Sequence, residues 1–141
     1  MVEAAFRLEN FQFDKVFMDF EPQSNSKMWS LSVAPQGVYH ERDGYFDLLF
    51  TLHAVMGEDA SEKSPRMEIR CKAVFRFIKP IEFSKIPSYF YSNSIAILFP
   101  YVRAFVSTVT LQANIPPVIL PTYNLSNLQD ELLQHTVVEK A

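Results

Sequence analysis

A chain of 141 residues, 48% hydrophobic and 21% charged, has the composition of one ordinary globular domain and is neither disordered nor fibrous. Thirteen Lys and Arg against sixteen Asp and Glu leave a net charge of −3, and this weak acidity argues against nucleic-acid binding by counterion release, which needs a basic surface. A single cysteine, Cys71, excludes an internal disulfide framework and fits a reducing, cytoplasmic compartment.

The start of the chain, Met-Val-Glu-Ala-Ala-Phe-Arg-Leu-Glu, is broken by charge, so no signal peptide is expected. The first segment, residues 6–20, switches parity twice. Phe6 and Leu8 share one phase, Phe11 and Phe13 the other, and Val16, Met18 and Phe20 return to the first. Each switch calls for a bulge or for a strand that is apolar on both faces. Phe17 then stands opposite its apolar neighbours. A loop is predicted over residues 22–27. A strand is predicted from Trp29 to Val33, with a possible turn at Gly37 before Val38–His40.

Tyr45–Met56 alternates with period two, its even positions Phe46, Leu48, Phe50, Leu52, Ala54 and Met56 all apolar. Arg66–Phe77 does the same with Met67, Ile69, Cys71, Ala73, Phe75 and Phe77, and only Val74 interrupts the polar row on its other face. The polar connection over 57–64 makes these two an antiparallel hairpin. After Pro80 the pattern turns helical. A helix is expected from Ser94 or Leu98 to about Gln112, with Pro100 in its first turn and Asn114 closing it. Residues 115–121 read as extended. A last helix is expected from Ser126, whose spacing to Gln129 fits a capping box, to about Val138. The result is an α+β domain: a four-stranded antiparallel sheet with two C-terminal helices on one face.

Between Lys85 and Asp130 the only charge is Arg103. A membrane span is one reading of such a stretch, but Pro100, Arg103 and the polar run Ser107, Thr108, Thr110 and Gln112 interrupt every apolar window of about 18–20 residues. A helix covered on two sides, by its own sheet and by another subunit, accounts for it better, and no membrane insertion is expected.

No glycine-rich phosphate loop, paired-histidine metal spacing or nucleophile motif is present. His40, His53 and His135 are scattered, and Cys71 lies on a core-facing parity, where a thiol behaves as a small hydrophobe. Asp14 with Asp19, or Glu58 with Asp59, read as solvated charges rather than catalytic pairs. The surplus of aromatics is more informative. The off-phase residues Phe11, Phe13, Phe17 and Leu49, with Trp29 and Tyr39, are candidates either for an exposed apolar interaction surface or for a subunit interface.

The run Ile97-Leu98-Phe99-Pro100-Tyr101-Val102-Arg103-Ala104 resembles the signature of the SecB family of bacterial protein-export chaperones, which carries Leu-Phe-Pro-Tyr-x-Arg at the start of its long helix. Ile115-Pro116-Pro117-Val118-Ile119-Leu120-Pro121, followed by Asn124-Leu125, is similar to the family's Phe-Pro-x-Leu-x-Leu-x-Pro and Asn-Phe ending. Trp29 is placed much as a tryptophan is there. The resemblance implies a dimer of dimers, with first strands paired across the dimer and the long helix, through Pro100, Tyr101, Val102, Arg103 and Val106, at the dimer–dimer interface. It implies ATP-independent holding of unfolded polypeptides along hydrophobic grooves, with no cofactor, no metal and no catalytic site. Phe11, Phe13, Phe17, Trp29, Tyr39 and Leu49 would form the polypeptide-binding surface.

The family's hand-off to the translocase motor ATPase SecA uses acidic positions on an exposed sheet face, which Glu68 and Asp19 resemble. Around Glu68, however, Arg66, Arg70, Lys72 and Arg76 make this face basic, and the family's Gly pair is replaced near Ala73-Val74. A dedicated chaperone for one client such as an antitoxin is the other branch of the same reading. A small α+β ligand-binding domain, with His53, Asp47 and Thr51 as its polar set, is the alternative of a different class.

Overall fold

The computed structural model describes residues 5–21, 28–57, 65–120 and 125–140. The expected loop over 22–27, most of the turn over 57–64, Glu58, Asp59, Pro121, Asn124 and the capping side chain of Ser126 lie outside the described residues.

Four long strands form as the alternation requires: β1 (Phe6–Asp19), β2 (Trp29–His40), β3 (Tyr45–Met56) and β4 (Arg66–Phe77). They are followed by helix α1 (Tyr89–Gln112), helix α2 (Leu125–Gln134) and a short strand β5 (Thr136–Glu139). The sheet order is β1-β4-β3-β2-β5, antiparallel except for β5, which pairs parallel to β2. The expected four-stranded antiparallel sheet is therefore a five-stranded mixed sheet. The last helix stops at Gln134 rather than near Val138. Thr136, Val137 and Val138 are β-branched and lose rotamer freedom in a helix, so they extend along the β2 edge instead.

Two bulges resolve the parity switches of β1. Its register with β4 shifts between Leu8 and Asn10 and again between Phe13 and Lys15. Phe6, Leu8, Phe11, Phe13, Val16 and Met18 are thereby all brought to the same face, opposite Phe77, Phe75, Ala73, Cys71, Ile69 and Met67. Rows of apolar side chains then cross the sheet, such as Met18–Met67–Ala54–Leu31 and Val16–Ile69–Leu52–Val33.

β2 runs without interruption through Pro35 and Gly37, so Gly37 is no turn. A Cβ at Gly37 would lie 2.3 Å from Cζ of Phe46 and 2.8 Å from Oγ1 of Thr136, and glycine lets the ring cross the strand there. The reversal falls instead at residues 41–44, where Gly44 takes φ +74°.

Helix α1 begins earlier than its propensities indicate, because aromatic burial fixes it. Phe90 sits in a cage of Phe6, Phe46 and Phe77, at ring-centroid distances of 4.8, 4.9 and 5.0 Å. Pro100 is consequently inside the helix and exposed, where it deletes one backbone hydrogen bond and costs about 3 kcal/mol that packing must offset. The helix closes as expected at Asn114, which takes the left-handed conformation with φ 57°. By length and composition α1 could span a bilayer. One side of it, including Phe90, Ile95, Leu98, Val102 and Val106, is instead packed into the core. Val102 (1% exposed) and Val106 (0%) correct the expectation that they form a subunit interface: they are inside the protomer.

Candidate functional site

The apolar face of the sheet is covered unevenly. Aromatic contacts between α1 and β1 run from Phe6–Phe90 through Phe11–Tyr101 to Phe13–Phe105, the last stacked at 4.0 Å with planes 11° apart. Among the described residues no ring of α1 pairs with β1 beyond that point. Val16 and Met18, next along the same face, stay 44% and 38% exposed although their neighbours across the sheet, Ile69 and Met67, are buried.

The opposite margin is similar. Trp29, Leu31 and Val33 lie half-buried on β2. Trp29 meets Phe20 edge-on at 6.1 Å, and its indole Nε1–H donates to the carbonyl of Pro116 at 3.0 Å. That bond ties the start of β2 to the segment leaving α1. Thr110, fully buried, holds the same segment from the helix side: its hydroxyl donates to the Val106 carbonyl at 2.9 Å and accepts from the Val118 N–H at 3.3 Å. Val118 and Leu120 are buried as a result, while Ile119 between them is 79% exposed. Met28 and Leu111 are exposed as well. Isolated exposed apolar residues are ordinary, but a sheet margin bearing Val16, Met18, Phe20 and Trp29 on one face is a surface that can hold apolar side chains.

The other sheet face is polar and internally paired. Arg76 donates to Glu9, and the Arg70 guanidinium makes two 3.0 Å bonds to Asp14. Glu68 is gripped by Lys15 and by His53, whose Nδ1 lies 3.2 Å away. Arg70 beside Asp14, and Lys15 beside Glu68, hold both carboxyls below the usual carboxylate range. Two of the four basic residues on β4, Arg70 and Arg76, are thus matched by acids on β1. A cleft of about 320 Å³ opens on this face, lined by Lys15, Phe17, His53, Arg66 and Glu68.

The candidates from sequence divide between the two faces. Phe11 and Phe13 pack against α1 rings, Trp29 lies at the apolar margin, and Phe17 and Leu49 lie on the polar face, Phe17 with Arg66 5.9 Å over its ring. Tyr39 is corrected: it is fully buried, and its hydroxyl donates to the Ile81 carbonyl at 2.6 Å, which fixes the approach to α1. Of the docking candidates, Glu68 is engaged as described and Asp19 stands opposite Arg66. Of the helix candidates, Pro100, Tyr101 and Arg103 are exposed. His53, Asp47 and Thr51 do not converge: Asp47 bonds His40 at 2.9 Å, and His53 turns to Glu68. Cys71 is buried as expected, and burial pushes its thiol up to about 12. Val16 and Met18 were missed as surface residues, and the signal that finds them is the double parity switch read as two bulges.

A family model for preprotein translocase subunit SecB matches residues 5–136. The Mycobacterium tuberculosis Rv1957 SecB-like chaperone, solved in complex with a ChAD peptide from the Rv1956 HigA1 antitoxin, has a similar fold. Its TM-score is 0.68 at 15% identity, over 85% of this chain and 91% of that one. A stretch of 57 residues is 51% identical to an uncharacterized protein of Methanocaldococcus jannaschii, covering 39% of this chain and only 37% of that protein. The family match runs from the start of β1 through α2 to the first residue of β5, and the chain belongs to the SecB family.

Proposed function

We propose that this protein is a cytoplasmic holding chaperone that binds unfolded polypeptides without ATP. The incompletely covered apolar margin carries the reading: Val16 and Met18 on β1 are exposed and Trp29 on β2 is only half-buried, so they can take up apolar side chains from an extended client. Such contacts are individually weak and need no sequence-specific pocket, which suits a client in many conformations. Trp29 and Phe17 remain client contacts in this reading. Phe11 and Phe13 support the margin from beneath α1, and Leu49 offers a secondary contact on the polar face.

The working form in this reading is a homotetramer built as a dimer of dimers. β1 is an edge strand whose pairing is limited to one side, which suits pairing with a second copy. The outward stripe of α1, with Ile97, Pro100, Tyr101, Ala104 and Thr108, is exposed and uncharged and suits helix packing between subunits.

Whether the clients are exported preproteins or one dedicated protein turns on the polar face. Glu68, the best docking candidate for the motor ATPase SecA, is already held by Lys15 and His53. A basic partner segment would have to displace both cations. This favours the dedicated branch, and the antitoxin peptide bound to the similar Rv1957 chaperone supports it. Docking through Asp19 and Glu68 is the second reading.

The test is a holding assay without ATP. A chemically denatured, slow-folding client is diluted into rising concentrations of the protein while aggregation is followed by light scattering. Saturating suppression supports the chaperone reading. No suppression of a general client, nor of an antitoxin-type client, at several-fold excess rejects it.

A further inference from the structure

We propose that the outer edge of β2 between Trp29 and Val33 is a strand-addition site, taking an extended polypeptide segment as an added strand of the sheet. This inference rests on the chaperone reading and specifies how the client backbone is held. The chain itself shows that the edge accepts such a strand. β5 lies parallel along β2 from Gly37 to His40, with Gly37 N–H donating to the His135 carbonyl at 3.1 Å and Glu41 N–H to the Glu139 carbonyl at 2.9 Å. Among the described residues no strand pairs with this edge upstream of Gly37.

The direction of the free backbone groups follows from that pairing. Gly37 and Glu41 point their N–H groups toward β5, and the register of β2 on β3 has no shift from Trp29 to His40. Strand alternation therefore turns the N–H and C=O groups of Leu31 and Val33 to the same outer edge. Pro35, next in that phase, has no N–H and separates the occupied half from the open half. The side chains of this phase, Trp29, Leu31 and Val33, face the apolar margin, and Ser30, Ser32 and Ala34 face the other way.

The occupant is defined by that alternation. A segment of about five residues, at about 3.3 Å per residue, would lie in line with β5. Its apolar side chains would alternate with small polar ones, the former over Leu31 and Val33 and the latter beside Ser30 and Ser32. Main-chain hydrogen bonds give such binding its affinity without demanding one sequence. β5 lies beyond nearly all of the family-matched stretch, which ends at residue 136.

The test uses the full chain and a blocked ten-residue peptide of alternating valine and threonine. Trp29 is the only tryptophan, so its fluorescence reports binding at this margin. Amide hydrogen exchange followed by NMR should show Leu31 and Val33 slowed about tenfold or more at peptide saturation, as expected for amides newly hydrogen-bonded. The Val33→Pro variant, which removes one edge donor, should lose about tenfold in peptide affinity, while Val33→Ala, which keeps it, should lose about threefold or less. Because Val33→Pro can fail to fold, exchange in the unaltered chain decides the matter. Peptide binding that changes Trp29 fluorescence and leaves both amides unprotected overturns strand addition while the chaperone reading stands. Failure to bind the peptide, in a protein that holds denatured client in the scattering assay, does the same. Failure of both peptide binding and client holding rejects both inferences.

Discussion

Phe13 on β1 and Phe105 on α1 stack face to face, their ring centroids 4.0 Å apart and their planes at 11°. This pair sits just before the second bulge, which lies between Phe13 and Lys15, and is the last ring contact between β1 and α1 among the described residues. Phe105→Ala should destabilise the fold by about 2 kcal/mol, less than for a fully buried ring because both partners are half-exposed. Urea unfolding followed by circular dichroism measures it. A change within error would mean that the stack does not anchor β1.

The crossing of Phe46 over Gly37 gives a steric prediction. Gly37→Ala places a methyl group against the Phe46 ring and the Thr136 hydroxyl, and should cost about 1–3 kcal/mol. Phe46→Leu in the Gly37→Ala background should cost less than Phe46→Leu alone, because the clash is then relieved. Additive losses in the double-mutant cycle would show that the ring is not what forbids a side chain there.

Val102 and Ala104 are close in sequence but differ in setting. Val102→Asp buries an unpaired charge in the protomer core and should abolish cooperative folding, at a cost of about 3–5 kcal/mol. Ala104→Asp sits on the exposed stripe and should keep the circular dichroism spectrum while lowering the mass in light scattering. An unchanged mass for Ala104→Asp would remove this stripe from the proposed subunit interface.

Acid should weaken the polar face in a defined direction. The folded carboxyls of Asp14 and Glu68 hold protons more weakly than their ordinary values of 3.8 and 4.5, because Arg70 and Lys15 favour the ionised forms. Between the ordinary and the lowered values the unfolded chain binds more protons than the folded one, so stability rises with pH there. The contribution is fully present above about pH 4.5 and is lost as pH falls through the lowered values. The double variant Asp14→Asn, Glu68→Gln should show a shallower loss of stability below that pH. Identical acid profiles would mean that these pairs add nothing.

Client holding should follow the apolar margin. Val16→Ser with Met18→Ser should raise the chaperone concentration needed for half-suppression of aggregation several-fold, with Trp29→Ser acting in the same direction. Leu49→Ser, on the polar face, should have a smaller effect. Equal effects of all these changes would place the client elsewhere.

The sequence by itself determined the alternation of β3 and β4, the burial of Cys71, the end of α1 at Asn114 and, through Phe99-Pro100-Tyr101-Val102-Arg103, the family. Those features are local: a period of two, a left-handed cap and a short motif are set by neighbours in the chain. Tertiary structure alone decided which face each residue of β1 serves, since two bulges move Phe11 and Phe13 onto the side of Phe6. It decided that Val102 and Val106 point into the protomer, because Phe90 starts the helix at Tyr89 and fixes its rotation against the sheet. It also made a strand of Thr136–Glu139, whose four residues are extended because the open edge of β2 supplies the hydrogen bonds that a solitary segment of that length lacks.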